Sequence, residues 1–387
     1  MPEYVCPFCF TKVDNNEPWY QCENISCIEP NKEHYAYAHA KPLETLNEHE
    51  WRTENYQHFF KGKSRSGVCN KCRIKTTKRV CHNCHFPLPA RVDELSNMIV
   101  SIVGPKNTGK SHYIAVLIQE IKRLHSKFGW SFYQSDDEII NLYKRFFYNP
   151  LYVDTPPHTL EVTRSGKSNE VVRKPLVFNL GKGADKDHKV ITIVFFDTAG
   201  EDMGTQVDME MYNRYIYNSA GIILLVNPLE FSQVQNETDL PYERNISAGE
   251  VLNRIINTIK EKSAENYQHH KITIPIAITL SMSDILREMM GDASPLFQES
   301  FHNGVFDLRQ FNSINEYVQA WIEVMDDRND IIQLSRVFTE TAFFGASALG
   351  ENPISNGELP FSPHPLHVAD PLLWILWKNG VIDGRER

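Results

Sequence analysis

A glycine-rich segment that begins at Gly104 carries the residues best suited to chemistry in this chain. Residues 104–111 read GPKNTGKS, with the spacing G-x-x-x-x-G-K-S, and a mostly apolar run at residues 99–103 precedes them. Glycines let the main chain turn its N–H groups toward a phosphate, and the N-terminus of a following helix attracts the same anion. In this pattern Lys110 reaches the β- and γ-phosphates and the Ser111 hydroxyl binds Mg²⁺. The segment therefore predicts a phosphate-binding loop between a strand and a helix.

An aspartate and a glycine, Asp197 and Gly200, form a second candidate element in the run FFDTAGED at residues 195–202. An aspartate at the carboxyl end of a buried strand is where a nucleotide enzyme holds Mg²⁺, and a following glycine lets its N–H approach the γ-phosphate. The D-x-x-G spacing alone also describes a simple turn. Its place, one strand and hairpin after the phosphate-binding loop, favours the coupled interpretation.

All eight cysteines lie between Cys6 and Cys84, and such confinement is typical of metal ligands rather than disulfides. Paired cysteines place sulfur atoms at tight turns, and two such turns complete the tetrahedral shell that Zn²⁺ prefers, so the segment predicts two zinc ions. The simplest pairing is sequential, with Cys6, Cys9, Cys22 and Cys27 on one ion and Cys69, Cys72, Cys81 and Cys84 on the other. A nested pairing, in which the first C-x-x-C meets the last, is also compatible with the spacing.

We expect these zinc ions to be structural, because nothing in the segment asks for the open ligand position of a catalytic site. The alternative ligands are His34, His82 and His85, but the cysteines already suffice. Nearby basic residues either meet an acidic partner or nucleic acid, or form a solvated surface that keeps a small module soluble. They are Lys61, Lys63, Arg65, Lys71, Arg73, Lys75, Lys78 and Arg79.

Apolar periodicity predicts the elements that position these residues. Strands are expected at residues 175–180 and 190–196, which form an antiparallel hairpin, and at 221–226, 272–280 and 341–345. Helices are expected at residues 113–127, 136–147, 248–262, 314–325, 327–336 and 370–378. Trp374 and Trp377 on the last helix are expected in the core. A polar insertion without regular structure is expected near residues 228–250.

The composition is that of an ordinary globular protein with two or three domains. The chain has 387 residues, of which 41% are hydrophobic and 23% charged, with a net charge of −9. This acidic balance argues against nucleic-acid binding as the main task. The sequence has no apolar run of about eighteen residues and no secretory signal pattern at its start, so it predicts no membrane segment and a cytoplasmic location.

In order and spacing, four motifs resemble those of Ras-like regulatory GTPases: GPKNTGKS, DTAG, SMSD at residues 281–284 and GASA at residues 345–348. The resemblance covers about residues 97–379. It implies an α/β fold of the P-loop NTPase type, with a mostly parallel sheet, one antiparallel strand and helices on both faces. A small zinc-ribbon-like domain at residues 1–92 would precede a GTPase domain at residues 97–387.

The cysteine-rich N-terminus, which ends in CHNCHFPLP before such a domain, resembles a more specific group. This is the prokaryotic double-GTPase group of the translation-factor-related GTPases, which is associated with multi-gene biological-conflict systems. The resemblance implies protein partners encoded in the same gene neighbourhood and a role in antiviral defence. Nucleic-acid binding through the zinc module is a less favoured alternative.

The GTPase resemblance also implies a role for each motif residue. Gly104, Asn107, Thr108, Gly109, Lys110, Ser111 and His112 would bind the nucleotide, Ser111 and Asp197 would hold Mg²⁺, and Gly200 would face the γ-phosphate. The first switch of such proteins carries a threonine that completes the Mg²⁺ site. Thr155, Thr159 and Thr163 lie in the right interval, and Thr159 is preferred. Asp284, Ser347 and Ala348 would complete the nucleotide site, and Lys110, Glu201 and Thr159 would take part in catalysis.

The sequence departs from the family pattern at two motifs. Where the family has Asn-Lys-x-Asp, this chain has Ser-Met-Ser-Asp, so Asp284 would bind guanine while Met282 packs on the ring. Alternatively, Ser283 and Asp284 only begin a helix. Glu201 stands where many members place a glutamine that orients water, and its charge beside the γ-phosphate predicts slow turnover without a partner that supplies a cation.

The sequence thus predicts a GTP-binding and GTP-hydrolysing switch with Mg²⁺ and two zinc ions. One alternative is an ATPase of the same fold, in which Asp284 reads no base. Another is a zinc-dependent adaptor for proteins or nucleic acid whose nucleotide site does not turn over.

Overall fold

The computed structural model describes most of the chain. The described residues are 4–14, 16–39, 41, 43–63, 66–89, 92, 97–134, 140–141, 143–154, 156–160, 175–182, 189–195, 206–238, 240–243, 246–300, 302–354 and 357–386. They divide into two compact units. The first unit comprises Met1–Met98, Lys189–Ile191 and Met203–Asn218, and the second comprises Ile99–His188, Thr192–Asp202 and Ser219–Arg387.

The strands, in chain order, are β1 Trp19–Gln21, β2 Ile28–Glu29, β3 Tyr56–Gln57, β4 Phe59–Lys61, β5 Gly67–Val68, β6 Lys75–Thr76, β7 Arg79–Val80, β8 Val100–Val103, β9 Trp130–Gln134, β10 Leu176–Lys182, β11 Lys189–Phe195, β12 Gly221–Val226, β13 Tyr267–Gln268, β14 Lys271–Ile272, β15 Ile276–Leu280, β16 Phe306–Asp307, β17 Thr341–Gly345 and β18 Gly384–Arg385. The α-helices are α1 Lys32–Ala38, α2 Glu48–Trp51, α3 Lys110–Leu124, α4 Asn149–Tyr152, α5 Gln206–Tyr217, α6 Ser232–Glu237, α7 Ala248–Lys262, α8 Arg287–Met290, α9 Leu308–Met325, α10 Asp330–Ser335 and α11 Asp370–Lys378. Within the described residues, every helix is too short or too polar to cross a membrane.

The second unit is built around a four-stranded parallel sheet in the order β17-β15-β12-β8. Its strands are short apolar runs, and every residue of β8, β12 and β15 is buried. Such runs are typical of parallel strands that are covered on both faces. All four strands end at the same edge, where loops can bring side chains together. The predicted α/β class with a mainly parallel sheet is confirmed.

A further sheet has the order β11-β10-β9, and β9 pairs antiparallel with β10. The predicted strands at residues 175–180 and 190–196 are present as the neighbours β10 and β11. Strand β9 was not predicted from the sequence, although its residues WSFYQ include the aromatic side chains that strands favour.

Several predicted elements end where the sequence placed them, and others do not. Strand β12 and helices α7 and α11 have the predicted bounds. The predicted strand at residues 272–280 is wrong at its start, because Pro275 has no N–H to donate and the strand begins only at Ile276.

The region near residues 228–250 also differs from the prediction. It contains a helix, α6, whose Val234 is fully buried. Of the predicted helix at residues 136–147, residues 140, 141 and 143 are α-helical, and Lys144–Tyr148 form a π-helical turn that leads into α4. Residues 136–139 and 142 lie outside the described residues.

The first unit contains a small antiparallel ladder in the order β4-β1-β7. Tyr20 on β1 is fully buried, and the ring of Phe60 stacks on it with centroids 6.0 Å apart. The Arg79 guanidinium lies 5.5 Å from the centroid of the Tyr20 ring. The ladder therefore has a core of very few side chains, as expected of a module that metal must stabilise.

A buried charged network lies at the start of α11. Asp370 Oδ1 accepts a hydrogen bond from Ser300 Oγ at 3.0 Å and lies 3.1 Å from His302 Nε2, while Oδ2 lies 2.8 Å from His367 Nδ1. Burial alone would raise the pKa of Asp370, but attraction and hydrogen bonds from the two histidines lower it far below its usual value. Burial alone would lower the pKa of His367, and the Asp370 carboxylate reverses this, so the net shift is upward.

Asp370→Asn is expected to destabilise the protein by about 3–5 kcal/mol, the usual cost of leaving one member of a buried ion pair uncompensated. The stabilisation from Asp370 is present above the unfolded carboxyl pKa of about 3.9 and is lost as pH falls. That from His367 is fully present below about pH 6.5 and is lost as pH rises through the raised folded pKa. Urea unfolding across this range should show a maximum between about pH 4 and 6.5 that the variant lacks.

The exposed Asp383→Asn variant is the matched control and should unfold as the wild type does. Equal stability of Asp370→Asn and wild type at about pH 5 would contradict the account.

Candidate functional site

The loop between β8 and α3 has the compact turn that phosphate binding requires. Asn107 and Gly109 both have left-handed main-chain angles, with φ of 64° and 71°. A Cβ on Gly104 would lie 2.6 Å from a main-chain oxygen of β12, so only glycine fits there. Thr108, which is 1% exposed, donates from Oγ1 to Pro105 O at 2.9 Å. The sequence thus fixes the loop through its glycines and one buried hydroxyl.

Lys110 is the first residue of α3, and its ammonium group is held inside the loop. Nζ donates to Gly104 O and to Pro105 O, each at 2.8 Å, and the residue is 9% exposed. The N-cap of α3 is Gly109, which has no side chain with which to occupy the N–H groups of the first turn. A cation and a helix N-terminus therefore lie at one place, as an anion site needs.

A cavity of about 300 Å³ adjoins this loop. It brings together residues from the loop, from the segment after α4, and from the segments that follow β15 and β17. Of the predicted nucleotide residues, ten line it: Asn107, Thr108, Gly109, Lys110, Ser111, His112, Thr159, Asp284, Ser347 and Ala348. Gly104, at the start of the loop, is described but is not among the residues that line the cavity. Asp197, Gly200 and Glu201 lie outside the described residues, as do Thr155 and Thr163.

At the side of the cavity formed after β15 and β17, the Asp284 carboxylate is held in place by a hydroxyl. Ser347 Oγ donates to Asp284 Oδ1 at 2.5 Å, and Gly350 N donates to Ser347 Oγ at 2.9 Å. Burial raises the pKa of Asp284, and the Ser347 hydrogen bond works in the opposite direction. A carboxylate fixed in this way presents an acceptor to the cavity.

Ser283 and Asp284 begin a short helix, as the alternative interpretation predicts, but the described structure shows no side-chain cap on it. A short 3₁₀ helix does run over Ser283–Leu286, but its N-cap is Met282 in the left-handed region, with φ of 50°. Within the described residues, no side chain caps this helix. The Met282 side chain faces the loop, with Cγ 3.9 Å from the position of a Cβ on Gly109.

Asn227 was not singled out from the sequence, yet it fixes the loop. Its Nδ2 donates to Asn107 O at 3.0 Å, and its Oδ1 accepts from Leu229 N at 2.9 Å. The residue is 2% exposed and directly follows β12. The signal was present, because a polar residue at the carboxyl end of a buried parallel strand lies at the edge where ligands bind.

His112 connects the loop helix to the segment that carries Thr159. His112 Nε2 accepts a hydrogen bond from Leu160 N at 2.9 Å, and burial lowers the pKa of His112 to about 4. The ring is therefore neutral at physiological pH. Thr159 N donates to Gly357 O at 2.8 Å, so the segment is held from both sides. The predicted catalytic role of Thr159 stays a prediction.

Comparison with known proteins gives distant likenesses. No family model matches the chain. It is 24% identical over 324 residues to the putative ESX-1 scaffolding and assembly protein SaeC of Mycolicibacterium smegmatis, covering 78% of this chain and 80% of that protein.

Among solved structures, the chain is similar to the GTPase-like domain of S. cerevisiae Ski7 bound to GDP and inorganic phosphate, at 13% identity and a TM-score of 0.33. That match covers 68% of this chain and 46% of the Ski7 chain, so this chain spans about half the length of that relative. It is also similar to the signal recognition particle receptor SRb-GTP/SRX complex of Chaetomium thermophilum, at 11% identity and a TM-score of 0.28, over 67% of this chain and 94% of that chain.

The first unit holds two groups of four cysteines. Within each group, the four sulfur atoms lie within 4.8 Å of one another. One group is Cys6, Cys9, Cys81 and Cys84, and the other is Cys22, Cys27, Cys69 and Cys72. The sequential pairing is therefore wrong, and the nested alternative is correct. Within the described residues, neither group includes a histidine, so His34, His82 and His85 are not among the ligands.

Strand pairing explains the nested arrangement. Strands β1 and β7 are antiparallel, with Trp19 opposite Val80 and Tyr20 opposite Arg79. Cys22 follows β1 at one end of this pair, and Cys81 follows β7 at the other end. Because these two turns lie at opposite ends of the strand pair, their cysteines belong to separate clusters.

The donor set of both clusters fits zinc. Sulfur atoms from opposite knuckles lie 3.6 and 3.7 Å apart in the first cluster and 3.4 and 3.8 Å apart in the second. A tetrahedral site with Zn–S bonds of about 2.3 Å has its sulfur atoms about 3.8 Å apart. Seven of the eight thiols are buried, which suits a closed structural site.

Proposed function

We propose that this protein is a Mg²⁺-dependent GTP-binding and GTP-hydrolysing switch that carries a zinc-binding module. The observation that carries the proposal is that one cavity is lined both by the phosphate-loop residues Lys110 and Ser111 and by the Asp284 carboxylate held by Ser347. A cation at a helix N-terminus suits the phosphates, and a fixed acceptor suits the N1–H and the exocyclic amino group of guanine, which both donate hydrogen bonds.

In this proposal the chain supplies positioning and electrostatics. The Lys110 ammonium and the main-chain N–H groups of the loop hold the β- and γ-phosphates and stabilise charge as water attacks the γ-phosphorus in line. Ser111 and Asp197 would hold Mg²⁺, which neutralises phosphate charge when bound. Glu201 would orient the attacking water. Because its charge opposes that of the phosphate, turnover should be slow without a partner that supplies a cation.

We propose that the zinc module spans residues 1–92 and that the nucleotide-binding domain spans residues 97–387. Thiols gathered as metal ligands support a reducing compartment, and we include a cytoplasmic location on that basis. The name of the relative SaeC describes a scaffolding and assembly protein. It supports protein partners for this chain, which would sense the change when the γ-phosphate is lost.

The base preference is tested by a competition assay between guanine and adenine nucleotides. Asp284→Asn replaces an acceptor by a group that also donates, so GTP affinity should fall about 10- to 100-fold, the value of hydrogen bonds to a charged group. The matched control, Asp292→Asn, changes an exposed acid that pairs with Arg287 and should leave GTP affinity unchanged.

The same assay on the wild type separates the alternative functions. Preference for adenine nucleotides would favour the ATPase alternative. Binding without phosphate release under any condition would favour the adaptor.

We also propose a role in antiviral defence. It rests only on the resemblance of the motifs and the domain order to the double-GTPase group. In cells that carry the whole native gene neighbourhood, Lys110→Ala should raise plaque formation by phage relative to the wild type. Equal plaque numbers would remove this role and leave the nucleotide proposal intact.

A further inference from the structure

Helix α5 and the first zinc knuckle, residues 6–11, belong to the same compact unit and contact each other. Arg214, in the last turn of α5, donates from Nη1 to Thr11 Oγ1 at 2.9 Å. The same nitrogen lies 3.5 Å from Cys9 O. Arg214 therefore contacts both a side chain and the main chain of the knuckle.

Two more contacts join the helix end to the knuckle. Asn218 Nδ2 donates to Phe10 O at 2.7 Å, and the rings of Phe10 and Tyr215 lie 4.8 Å apart. Phe10 and Tyr215 are both fully buried. Phe10 also has a left-handed φ of 56°, so its carbonyl direction depends on the tight turn that the cysteines impose. The helix thus contacts main-chain groups whose positions follow the shape of the knuckle.

A chain of hydrogen bonds continues from α5 to a metal ligand. Cys9 Sγ lies 3.4 Å from Thr11 Oγ1. With zinc bound, Cys9 is a thiolate and can only accept, so the Thr11 hydroxyl donates to it while its oxygen accepts from Arg214. Groups that hydrogen-bond a metal ligand change how firmly the metal is held. Movement of Arg214 would therefore change the hydrogen bond to Cys9 and with it the affinity of the first cluster for zinc.

The other end of α5 lies close in sequence to the candidate γ-phosphate element. The helix begins at Gln206, six residues after Gly200. In the proposed function, loss of the γ-phosphate is sensed, and the GTPase resemblance implies that Gly200 faces that phosphate. Only residues 201–205 separate Gly200 from α5 in the sequence.

We propose that the nucleotide state and the zinc ion at Cys6, Cys9, Cys81 and Cys84 are linked through α5, so that this zinc cluster senses the nucleotide within the same protein. The inference rests on the proposed function. Linkage is reciprocal: if the nucleotide changes the affinity for zinc, zinc changes the relative affinity for the two nucleotides. The second cluster serves as an internal reference, because the side-chain hydrogen bonds that join Arg214 and Asn218 to the cysteine-rich segment go to the first knuckle. Arg214 also pairs with Glu210 on α5 itself.

The test measures zinc release from the full-length, zinc-loaded protein after addition of a chromogenic zinc chelator, with either GDP or a non-hydrolysable GTP analogue present. We expect two release phases, one of which changes at least about fivefold between the two nucleotides. Arg214→Gln should remove this difference. Arg254→Gln, which changes an exposed arginine on α7, should keep it.

Release rates that are equal with both nucleotides, under conditions in which both are shown to bind, would overturn the linkage and leave the proposed function standing. A nucleotide effect that persists in Arg214→Gln would overturn it as well. Failure to bind either nucleotide would remove the proposed function and the linkage together. The wild-type comparison decides the matter even if Arg214→Gln does not fold.

Discussion

Lys110→Ala is expected to weaken binding of both GTP and GDP, in the presence of Mg²⁺, by about 100-fold. GTP would lose charge-assisted hydrogen bonds at its β- and γ-phosphates and GDP one at its β-phosphate, and such bonds contribute about 1.5–3 kcal/mol each. The structure supports a large effect because Lys110 is 9% exposed and its Nζ is already held by the loop carbonyls, so the side chain needs little further ordering to bind phosphate. Displacement of a fluorescent guanine nucleotide measures the affinity.

The control for this prediction is Lys260→Ala. Lys260 is an exposed lysine in the last turn of α7, and its removal changes the net charge by the same amount. We expect its affinity to stay within about twofold of the wild type, because screened charges at a distance contribute little. Affinity of Lys110→Ala within threefold of the wild type would show that the loop does not bind phosphate as described.

The nested cysteine clusters predict which double substitutions release one zinc ion and which release both. Cys6→Ser with Cys84→Ser removes two ligands of the same cluster, so zinc content should fall from two ions to one. Cys6→Ser with Cys27→Ser damages both clusters and should leave none. The effect is large because structural zinc contributes about 10–16 kcal/mol to the folding of small zinc domains.

Elemental analysis of the purified variants, with protein concentration measured independently, gives the zinc content. The two doubles control each other, since each replaces two buried thiols by hydroxyls. The sequential pairing predicts the reverse, with one zinc kept by the Cys6 and Cys27 double. That outcome would contradict the arrangement of the clusters.

The most regular elements could be predicted from sequence because their signals are local. Helix α7 has a capping box, in which Ser247 and Glu250 exchange hydrogen bonds, and an apolar stripe that ends with the helix. Strand β12 is an unbroken apolar run that Asn227 and Pro228 terminate. The resemblance to Ras-like GTPases implied that the motifs form one site, and the described ones do line one cavity, because the carboxyl ends of parallel strands share one edge.

The features that sequence reasoning missed depend on contacts between distant residues. The spacing of the cysteines shows which pairs share a turn, but only the antiparallel pairing of β1 with β7 decides which turns share a zinc ion. The hydrogen bond between His112 and Leu160 joins residues 48 positions apart, so no local sequence pattern predicts it. Helix α6 is short, and its single fully buried side chain, Val234, gives too weak a periodic signal.

The central claim is that the cavity beside Lys110 accepts a guanosine triphosphate with its phosphates in the loop. Calorimetric titration of the purified wild-type chain with GTP in excess Mg²⁺ tests it most directly. We predict saturable binding of one nucleotide per chain that is competed by GDP and reduced about 10-fold or more by Asp284→Asn. Absence of saturable GTP binding up to millimolar concentration would contradict the claim.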